Sequence, residues 1–210
     1  MAAAPDSPAL PRTRRGVESR RRLLEAAAAE LVEQAGALEV QRVARRCGVS
    51  VGLIYRYFSS RAGLVGAVVE DFYRRFERAV MVRNPLPGAD WASRERERTR
   101  RSVAFHYADP LAPVVLARLH RDPVVAAIEA GALDRQIELA ARNLALGQRR
   151  GELPRGPEPR LVAAMVLGGM QRGLVEALAR SPRPPEHEVL HQLWRFVAGA
   201  VGLPRLARRM

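Results

Sequence analysis

Apolar residues recur at intervals of three and four along almost the whole chain, and no stretch alternates in the way that is typical of a β-strand. Glycine and proline separate these periodic stretches. The pattern predicts an all-α fold of about nine helices. A chain of 210 residues is long enough for one small and one medium domain.

The predicted helices are bounded by caps and helix breakers. Gly36 and Gly48 end the first two helices, Ser50 caps the third, and Ser59 or Ser60 caps the fourth. The predicted helices are 17–35, 40–47, 51–58, a longer helix after Ser60, 90–107, two that start at Pro110 and Pro123, 159–180 and 186–201.

The segment 39–58 carries the strongest functional signal. Two short helices that cross steeply need a small residue at the crossing and a turn residue that tolerates positive φ, and Ala44 and Gly48 have these properties. The segment therefore predicts a helix-turn-helix, with an ordinary helical hairpin as the alternative. The residues expected to point inward are Val43, Cys47, Val49, Ile54 and Tyr57.

The run "VARRCGVSVGLIYRYFSSRAGL", residues 43–64, resembles the DNA-binding signature of the TetR (tetracycline-repressor) family. The preceding "RRRLLEAAAAELVEQAG", residues 20–36, resembles it as well. The resemblance implies a dimer with an N-terminal three-helix DNA-binding domain, whose third helix enters the major groove of a palindromic operator. It also implies a C-terminal helical domain for dimerisation and for a small-molecule effector that releases the DNA. Repression is the usual mode of the family.

The chain departs from the family pattern at three positions in this region. Glu39 stands where Thr or Ser commonly caps the second helix, Leu53 replaces a frequent Thr, and Arg61 replaces the usual Lys. Arginine keeps the positive charge and adds a planar, bidentate donor group.

Residues that point outward from the predicted recognition helix are the candidates for DNA contact. Base contacts are expected from Val51, Gly52 and Arg56, because the N-terminal part of such a helix reaches the base edges and arginine can bind guanine bidentately. Gln41 is a further candidate for the same role. The predicted phosphate-contacting and neighbouring residues of this surface are Ser50, Leu53, Tyr55 and Arg61.

The predicted domain boundaries follow from these assignments. Residues 1–16 form a disordered basic arm, 17–64 the DNA-binding domain, 65–203 the effector-binding and dimerisation domain, and 204–210 a basic tail.

Two groups of apolar residues in the C-terminal domain have expected roles. The last two predicted helices are apolar on more than one side, which favours a four-helix interface with a second copy. The expected dimer residues are Leu161, Met165, Gly169, Val189, Leu190, Leu193, Trp194 and Val197. The residues that either line an effector pocket or fill the core are Phe72, Phe76, Trp91, Phe105, Tyr107 and Met165.

Charge and cysteine content are consistent with an intracellular DNA-binding protein. The net charge of +13 favours a polyanionic partner, and the single cysteine, Cys47, excludes an intramolecular disulfide. The longest nearly apolar run, 161–170, is too short to span a bilayer. We expect a cytoplasmic protein without a membrane partner.

One motif favours a different class of protein. Residues 187–191 read H-E-V-L-H and match the zinc-protease pattern H-E-x-x-H. A zinc site of this kind needs a third ligand, and residues 192–210 contain no His, Asp or Glu. A zinc metallohydrolase is therefore the alternative, and the favoured interpretation includes no enzyme activity, metal or cofactor.

Overall fold

The computed structural model describes residues 13–81, 84–119 and 122–203. These residues form nine α-helices and no strand, which confirms the predicted all-α class. The helices are α1 Arg14–Glu33, α2 Val40–Cys47, α3 Val51–Phe58, α4 Arg61–Val80, α5 Trp91–Ala108, α6 Ala112–Ala117, α7 Pro123–Arg149, α8 Pro159–Ala179 and α9 Glu186–Ala200.

The chain divides into two compact units. The N-terminal unit contains the described residues up to Phe72 together with those of 114–128, and the C-terminal unit contains the described remainder. The N-terminal unit is larger than the DNA-binding domain predicted at 17–64, because two glycines admit side chains from the distant segment. A Cβ at Gly36 would lie 3.1 Å from Cβ of Arg118, and one at Gly66 would lie 3.0 Å from Cγ1 of Val124.

The first helix begins earlier than the sequence pattern predicts. Residues 14–16, assigned to the disordered arm, form the first turn of α1, because the Thr13 hydroxyl accepts a hydrogen bond from the Gly16 N–H at 3.1 Å. The helix also ends two residues early, at Glu33, and Ala35 and Gly36 then adopt positive φ angles of 50° and 101°. Residues 1–12 of the predicted arm and the predicted tail 204–210 lie outside the described residues.

The core of the C-terminal unit is built from the inward faces of α5, α7, α8 and α9. Trp91 packs with residues of α7 and α8, and Gly147 permits this approach, since a Cβ there would lie 2.9 Å from Cδ1 of Trp91. Val189, Leu193 and Trp194 of α9 are buried against α5 and α8. The inward face of α9 is thus filled within one chain.

Helix α8 is longer than the nearly apolar run 161–170, which the sequence analysis judged too short to span a bilayer. The whole helix has 21 residues, and its most apolar 18-residue window has a mean hydropathy of 1.4, so that length and composition alone would allow it to cross a membrane. Only 28% of that window is buried. Helices in the core or at an interface of a globular protein can be equally long and apolar. The length and hydropathy of α8 therefore assign it no membrane role.

A buried histidine in the C-terminal unit gives a prediction about acid stability. The His106 ring packs against Phe76 and Phe105 at centroid distances of 5.2 and 5.5 Å, and its Nδ1 lies 2.7 Å from the Ser102 carbonyl oxygen. Burial lowers the pKa of His106 below its ordinary value, although the Ser102 carbonyl and Asp109 oppose the shift. The unfolded chain therefore binds a proton near pH 6.5 that the folded chain does not.

We expect the free energy of unfolding to fall with decreasing pH below about 6.5, by up to about 1.4 kcal/mol per pH unit from this residue. Above that pH the contribution is constant. Urea denaturation across this range, compared between the parent and His106→Phe, measures the effect. An unchanged slope in the variant would mean that His106 binds its proton equally in the folded and unfolded chains, which would contradict the lowered pKa.

Candidate nucleic-acid interface

A buried acid fixes α2 on α1. Glu30 is 1% exposed, and its carboxylate oxygens lie 3.7 Å from Nε of Arg42 and 3.7 Å from a terminal guanidinium nitrogen of Arg46. Arg46 also donates to both carboxylate oxygens of Glu33, at 2.9 and 2.5 Å. The two arginines thus neutralise a carboxylate that would otherwise be costly to bury, and they set the position of α2.

The turn between α2 and α3 has the geometry of a helix-turn-helix. Gly48 ends α2 in the left-handed conformation with φ 66°, as the sequence predicts. The Val49 N–H donates to the Ala44 carbonyl at 3.0 Å, and the Ser50 hydroxyl caps α3 by accepting from the Leu53 N–H at 3.3 Å. Glu39 occupies the N-cap position of α2 without capping it, because its carboxylate accepts from Arg42 Nε instead, at 2.9 Å.

The inward face of α3 is formed by Ile54 and Phe58, which are both buried. Tyr57, expected to pack in the core, is only half-buried, and Phe58 takes that place one residue later in the chain. The spacing from Ile54 to Phe58 is one full helical turn of four residues, whereas Tyr57 lies to one side of that line. The guanidinium of Arg20 from α1 covers the Phe58 ring at 5.2 Å from its centroid.

The outward face of the helix-turn-helix is polar and basic. Gly52, Tyr55 and Arg56 of α3 are exposed, and so are Gln41 and Arg45 of α2. Predicted residues Val51 and Leu53 are half-buried beside them, and Ser50 is exposed at the cap. The structure therefore brings these predicted DNA-contacting residues onto one pair of neighbouring helices.

Arg45 is a candidate DNA contact that the sequence reasoning missed. Its neighbours Arg42 and Arg46 are paired with acids of α1 and the α2 cap. Within the described part of the chain, Arg45 has no acidic partner, and it is exposed. Helical spacing alone could have predicted this candidate, because Arg45 lies four residues after Gln41 and hence on the same face of α2.

At the junction between α3 and α4, Arg61 and Gly63 have structural roles. Arg61 Nε donates to the Leu38 carbonyl at 2.9 Å, which ties the start of α4 to the loop before α2. Ser60, rather than Ser59, caps α4 by accepting from the Gly63 N–H at 2.9 Å. A Cβ on Gly63 would lie 2.1 Å from the Phe58 carbonyl oxygen, so this position requires glycine.

The C-terminal unit contains a cavity of about 510 Å³. Five helices contribute to its wall, α4, α5, α7, α8 and α9. The volume lies within the range of about 300–1,000 Å³ that is usual for small-molecule sites. Its polar lining comes from α5 and α7, and its apolar lining comes from all five helices, with the largest shares from α7 and α8.

The predicted pocket residues are only partly brought together. Phe76 and Trp91 line the cavity. Phe72 is buried in the N-terminal unit, and Phe105 packs on Phe76 outside the cavity wall. Tyr107 donates to the Pro184 carbonyl at 2.9 Å, and Met165 points outward. Polar residues of the wall, such as Glu95, Arg98 and Asn143, were missed because the prediction took only aromatic residues and one methionine.

The predicted dimer residues fall on two different faces. Val189, Leu193, Trp194 and Val197 are buried within the protomer, so they are not available to a second copy. Leu161 and Met165 are 60% and 56% exposed and follow one another along one face of α8. Half-buried Leu190 packs against the cluster that contains Val189 and Leu193. Gly169 is covered by the ring of Phe196, which was not among the predicted residues.

The H-E-x-x-H residues do not form part of a metal-ligating group. His187 and Glu188 are exposed on the first turn of α9, and His191 is half-buried. Among the residues that the structure describes, no group of three or more His, Cys, Asp or Glu side chains is arranged to hold a metal ion.

Comparison with known sequences finds a family match in the N-terminal part of the chain. Residues 23–68 match the family model described as "Bacterial regulatory proteins, tetR family". These residues include all of α2 and α3 and most of the surface described above. No curated protein sequence matches the chain.

Solved structures share the fold over most of the chain. A protein from Syntrophomonas wolfei str. Goettingen, assigned to the TetR-family transcriptional regulators, has a TM-score of 0.74 at 18% identity and covers 89% of this chain and 96% of its own. The fatty acid degradation regulator FadR from Bacillus halodurans has a TM-score of 0.74 at 16% identity, with coverages of 85% and 94%. AibR, solved in complex with isovaleryl coenzyme A and operator DNA, has a TM-score of 0.64 at 17% identity, with coverages of 85% and 97%.

Proposed function

We propose that this chain, whose residues 23–68 match the tetR family model and whose fold is shared with TetR-family regulators, is a cytoplasmic, homodimeric transcriptional repressor of a palindromic operator. A small molecule bound in the cavity of the C-terminal unit releases it from DNA. The function requires no catalytic activity and no cofactor. The observation that carries the proposal is the exposed, acid-free face formed by Gly52, Tyr55 and Arg56 on a helix anchored through Ile54 and Phe58.

The chemistry of this face suits the major groove. Gly52 presents no side chain and allows the helix backbone to approach the bases closely. Arg56 is the one α3 side chain with a guanidinium group, which can donate two hydrogen bonds to O6 and N7 of guanine. Tyr55 and Arg45 are exposed on the same pair of helices and are assigned to backbone phosphates, as are Ser50 and Arg61.

The exposed apolar face of α8 and α9 supports the homodimer. Leu161, Met165 and Phe196 expose large apolar side chains, and the Phe196 ring lies against Gly169, one helical turn after Met165 on α8. A two-fold axis through such a face buries it against its own copy and repeats the recognition helix. Two copies of α3 then read two inverted half-sites, about one helical turn of DNA apart or a multiple of it.

The cavity supports regulation by a small organic molecule. It is largely apolar with a few polar side chains, as ligand sites generally are. AibR is similar in fold and was solved with isovaleryl coenzyme A and operator DNA, and FadR is a regulator of fatty acid degradation. These proteins are consistent with an effector that carries an apolar group.

Selection of bound sequences from random or genomic DNA tests the proposed function, and Arg56→Ala tests its central residue. We expect the selected site to be an inverted repeat. Arg56→Ala should lose about 1–3 kcal/mol per half-site on that DNA and relax the preference at one base pair, because a bidentate arginine–guanine contact is lost. Fluorescence anisotropy on selected and scrambled duplexes measures both effects.

Arg61 serves as the matched comparison, since it carries the same charge on the next helix. Arg61→Ala should weaken binding to selected and scrambled DNA alike and make the dependence of log K on log[salt] shallower by about one unit per phosphate contact. Arg61→Lys keeps the charge and separates this effect from the bond to the Leu38 carbonyl. A single unrepeated half-site, or equal losses on both duplexes for Arg56→Ala, would contradict the assignment.

A further inference from the structure

Most of the described residues that line the cavity in the C-terminal unit are apolar, and they come from all five of its helices. Examples are Phe76 of α4, Trp91 of α5, Leu144 of α7, Val166 of α8 and Val197 of α9. Because each helix contributes hydrocarbon to the wall, a molecule inside the cavity meets apolar groups from every one of these elements. A ligand of this cavity must therefore be mainly apolar.

The acid and the arginine that α5 contributes to the wall are already paired with each other. The Glu95 carboxylate accepts a hydrogen bond from Arg98 and another, at 2.8 Å, from Nδ2 of Asn143. The Thr99 hydroxyl is also engaged, because it donates to the Glu95 carbonyl oxygen at 2.8 Å. A charged group on the ligand would have to break these bonds or be buried without a counter-charge, and either event costs free energy.

The two arginines that α7 contributes to the wall lie at the protein surface. Arg142 and Arg149 are both exposed, and Arg142 donates to the carboxylate of Glu138 on the same helix at 3.0 Å. An exposed guanidinium stays hydrated, so water weakens its attraction for a charge on the ligand. Among the described residues of the wall, there is therefore no charge that is both buried and unpaired.

Ser102 of α5 contributes a polar group that is unpaired and accessible. The residue is 5% exposed and lines the cavity, and its hydroxyl has no hydrogen-bond partner among the described residues. A water-sized atom can reach this hydroxyl oxygen, whereas Nε1 of Trp91 in the same wall is fully enclosed. A ligand can therefore form a hydrogen bond with Ser102 without displacing a bond within the described protein.

We propose that the cavity binds an uncharged, mainly apolar molecule with a hydrogen-bonding group, such as a hydroxyl, that pairs with the hydroxyl of Ser102. This assignment rests on the proposed function, since it names the chemical class of the effector.

Ligands with one skeleton and different end groups test the required charge: naphthalenemethanol, naphthoate and naphthylmethylammonium. Isothermal titration calorimetry on the full chain without DNA should show the alcohol binding at least about tenfold more tightly than either charged compound. The same order is expected for octanol, octanoate and octylammonium. A carboxylate or an ammonium compound that binds as tightly as its alcohol, or absence of binding by both alcohols, would overturn the proposal.

The variant Ser102→Ala tests the hydrogen bond. The hydroxyl makes no bond within the described protein and alanine favours a helix, so that the variant should fold as the parent does. It should bind naphthalenemethanol about fivefold to tenfold more weakly than the parent. Its affinity for methylnaphthalene, which has the same ring system without the hydroxyl, should be unchanged.

Ser93→Ala is the matched control for this variant. It makes the same substitution on α5 at an exposed residue outside the cavity wall, and it should leave the affinity for both compounds unchanged. An equal loss of affinity for the alcohol and for methylnaphthalene in Ser102→Ala, or no loss for the alcohol, would contradict the role of Ser102.

Binding to the selected DNA is measured separately from these titrations. A chain that binds this DNA but neither alcohol would exclude the ligand assignment alone. A chain that binds the alcohols but selects no DNA sequence would exclude the proposed regulator and leave the ligand class of the cavity established.

Discussion

Replacement of Gly63 by alanine should destabilise the N-terminal unit by about 3 kcal/mol, although the same change stabilises an ordinary exposed helix position by up to about 1 kcal/mol. The sign reverses because the new Cβ would lie 2.1 Å from the carbonyl oxygen of Phe58, and a backbone atom cannot rotate away as a side chain can. Either α4 shifts or the end of α3 unwinds. Urea denaturation, with hydrogen exchange of the α3 and α4 amides, measures the loss.

Gly52 provides the matched control on the adjacent helix. A Cβ there would have only the Ser50 hydroxyl within 4 Å, at 3.9 Å, so that Gly52→Ala should leave stability unchanged or slightly increased. If α3 lies against the bases, the same methyl group should weaken operator binding. Gly63→Ala thus affects folding and Gly52→Ala affects recognition. Equal stability of Gly63→Ala and the parent would show that the α3–α4 junction is more tolerant than its geometry indicates.

The helix-turn-helix could be predicted from the sequence because its determinants are local. Gly48 and Ser50 act on backbone groups within a few residues, and Ala44 meets a helix that starts only seven residues later. The requirement for glycine at position 63 was missed although it is equally local, because it depends on how the chain bends between Ser59 and Ser60. Periodicity reports which side of a helix is apolar, but it does not report such bends.

The roles of α8 and α9 could be predicted only in part, for a physical reason. In the sequence, an apolar residue buried by its own chain cannot be distinguished from one buried by a second copy. Leu193 and Met165 were therefore assigned to one interface, whereas Leu193 is 7% exposed within the protomer and Met165 is mostly exposed. The polar part of the cavity wall could not be predicted for a related reason, since Glu95 and Asn143 are 48 residues apart and meet only in the folded chain.

The second large effect is expected at the exposed apolar face of α8. Leu161→Glu combined with Met165→Glu should weaken the proposed dimer by roughly a hundredfold or more, because the two-fold axis buries four carboxylates that have no partners in a formerly apolar contact. Both side chains are mostly exposed in the single chain, so that the protomer should remain folded. Sedimentation equilibrium and circular dichroism measure the two properties.

Two comparisons separate dissociation from unfolding. Leu193→Asp places a charge in the core of the C-terminal unit and should unfold it. Val17→Glu changes an equally exposed apolar residue on α1 and should alter neither the fold nor the association. The folded monomer obtained from the α8 variant should bind a half-site weakly and lose its cooperative binding to the inverted repeat, because one chain carries one recognition helix. A parent chain that is a stable monomer at micromolar concentration, or a variant that associates as the parent does, would exclude this face as the dimer interface.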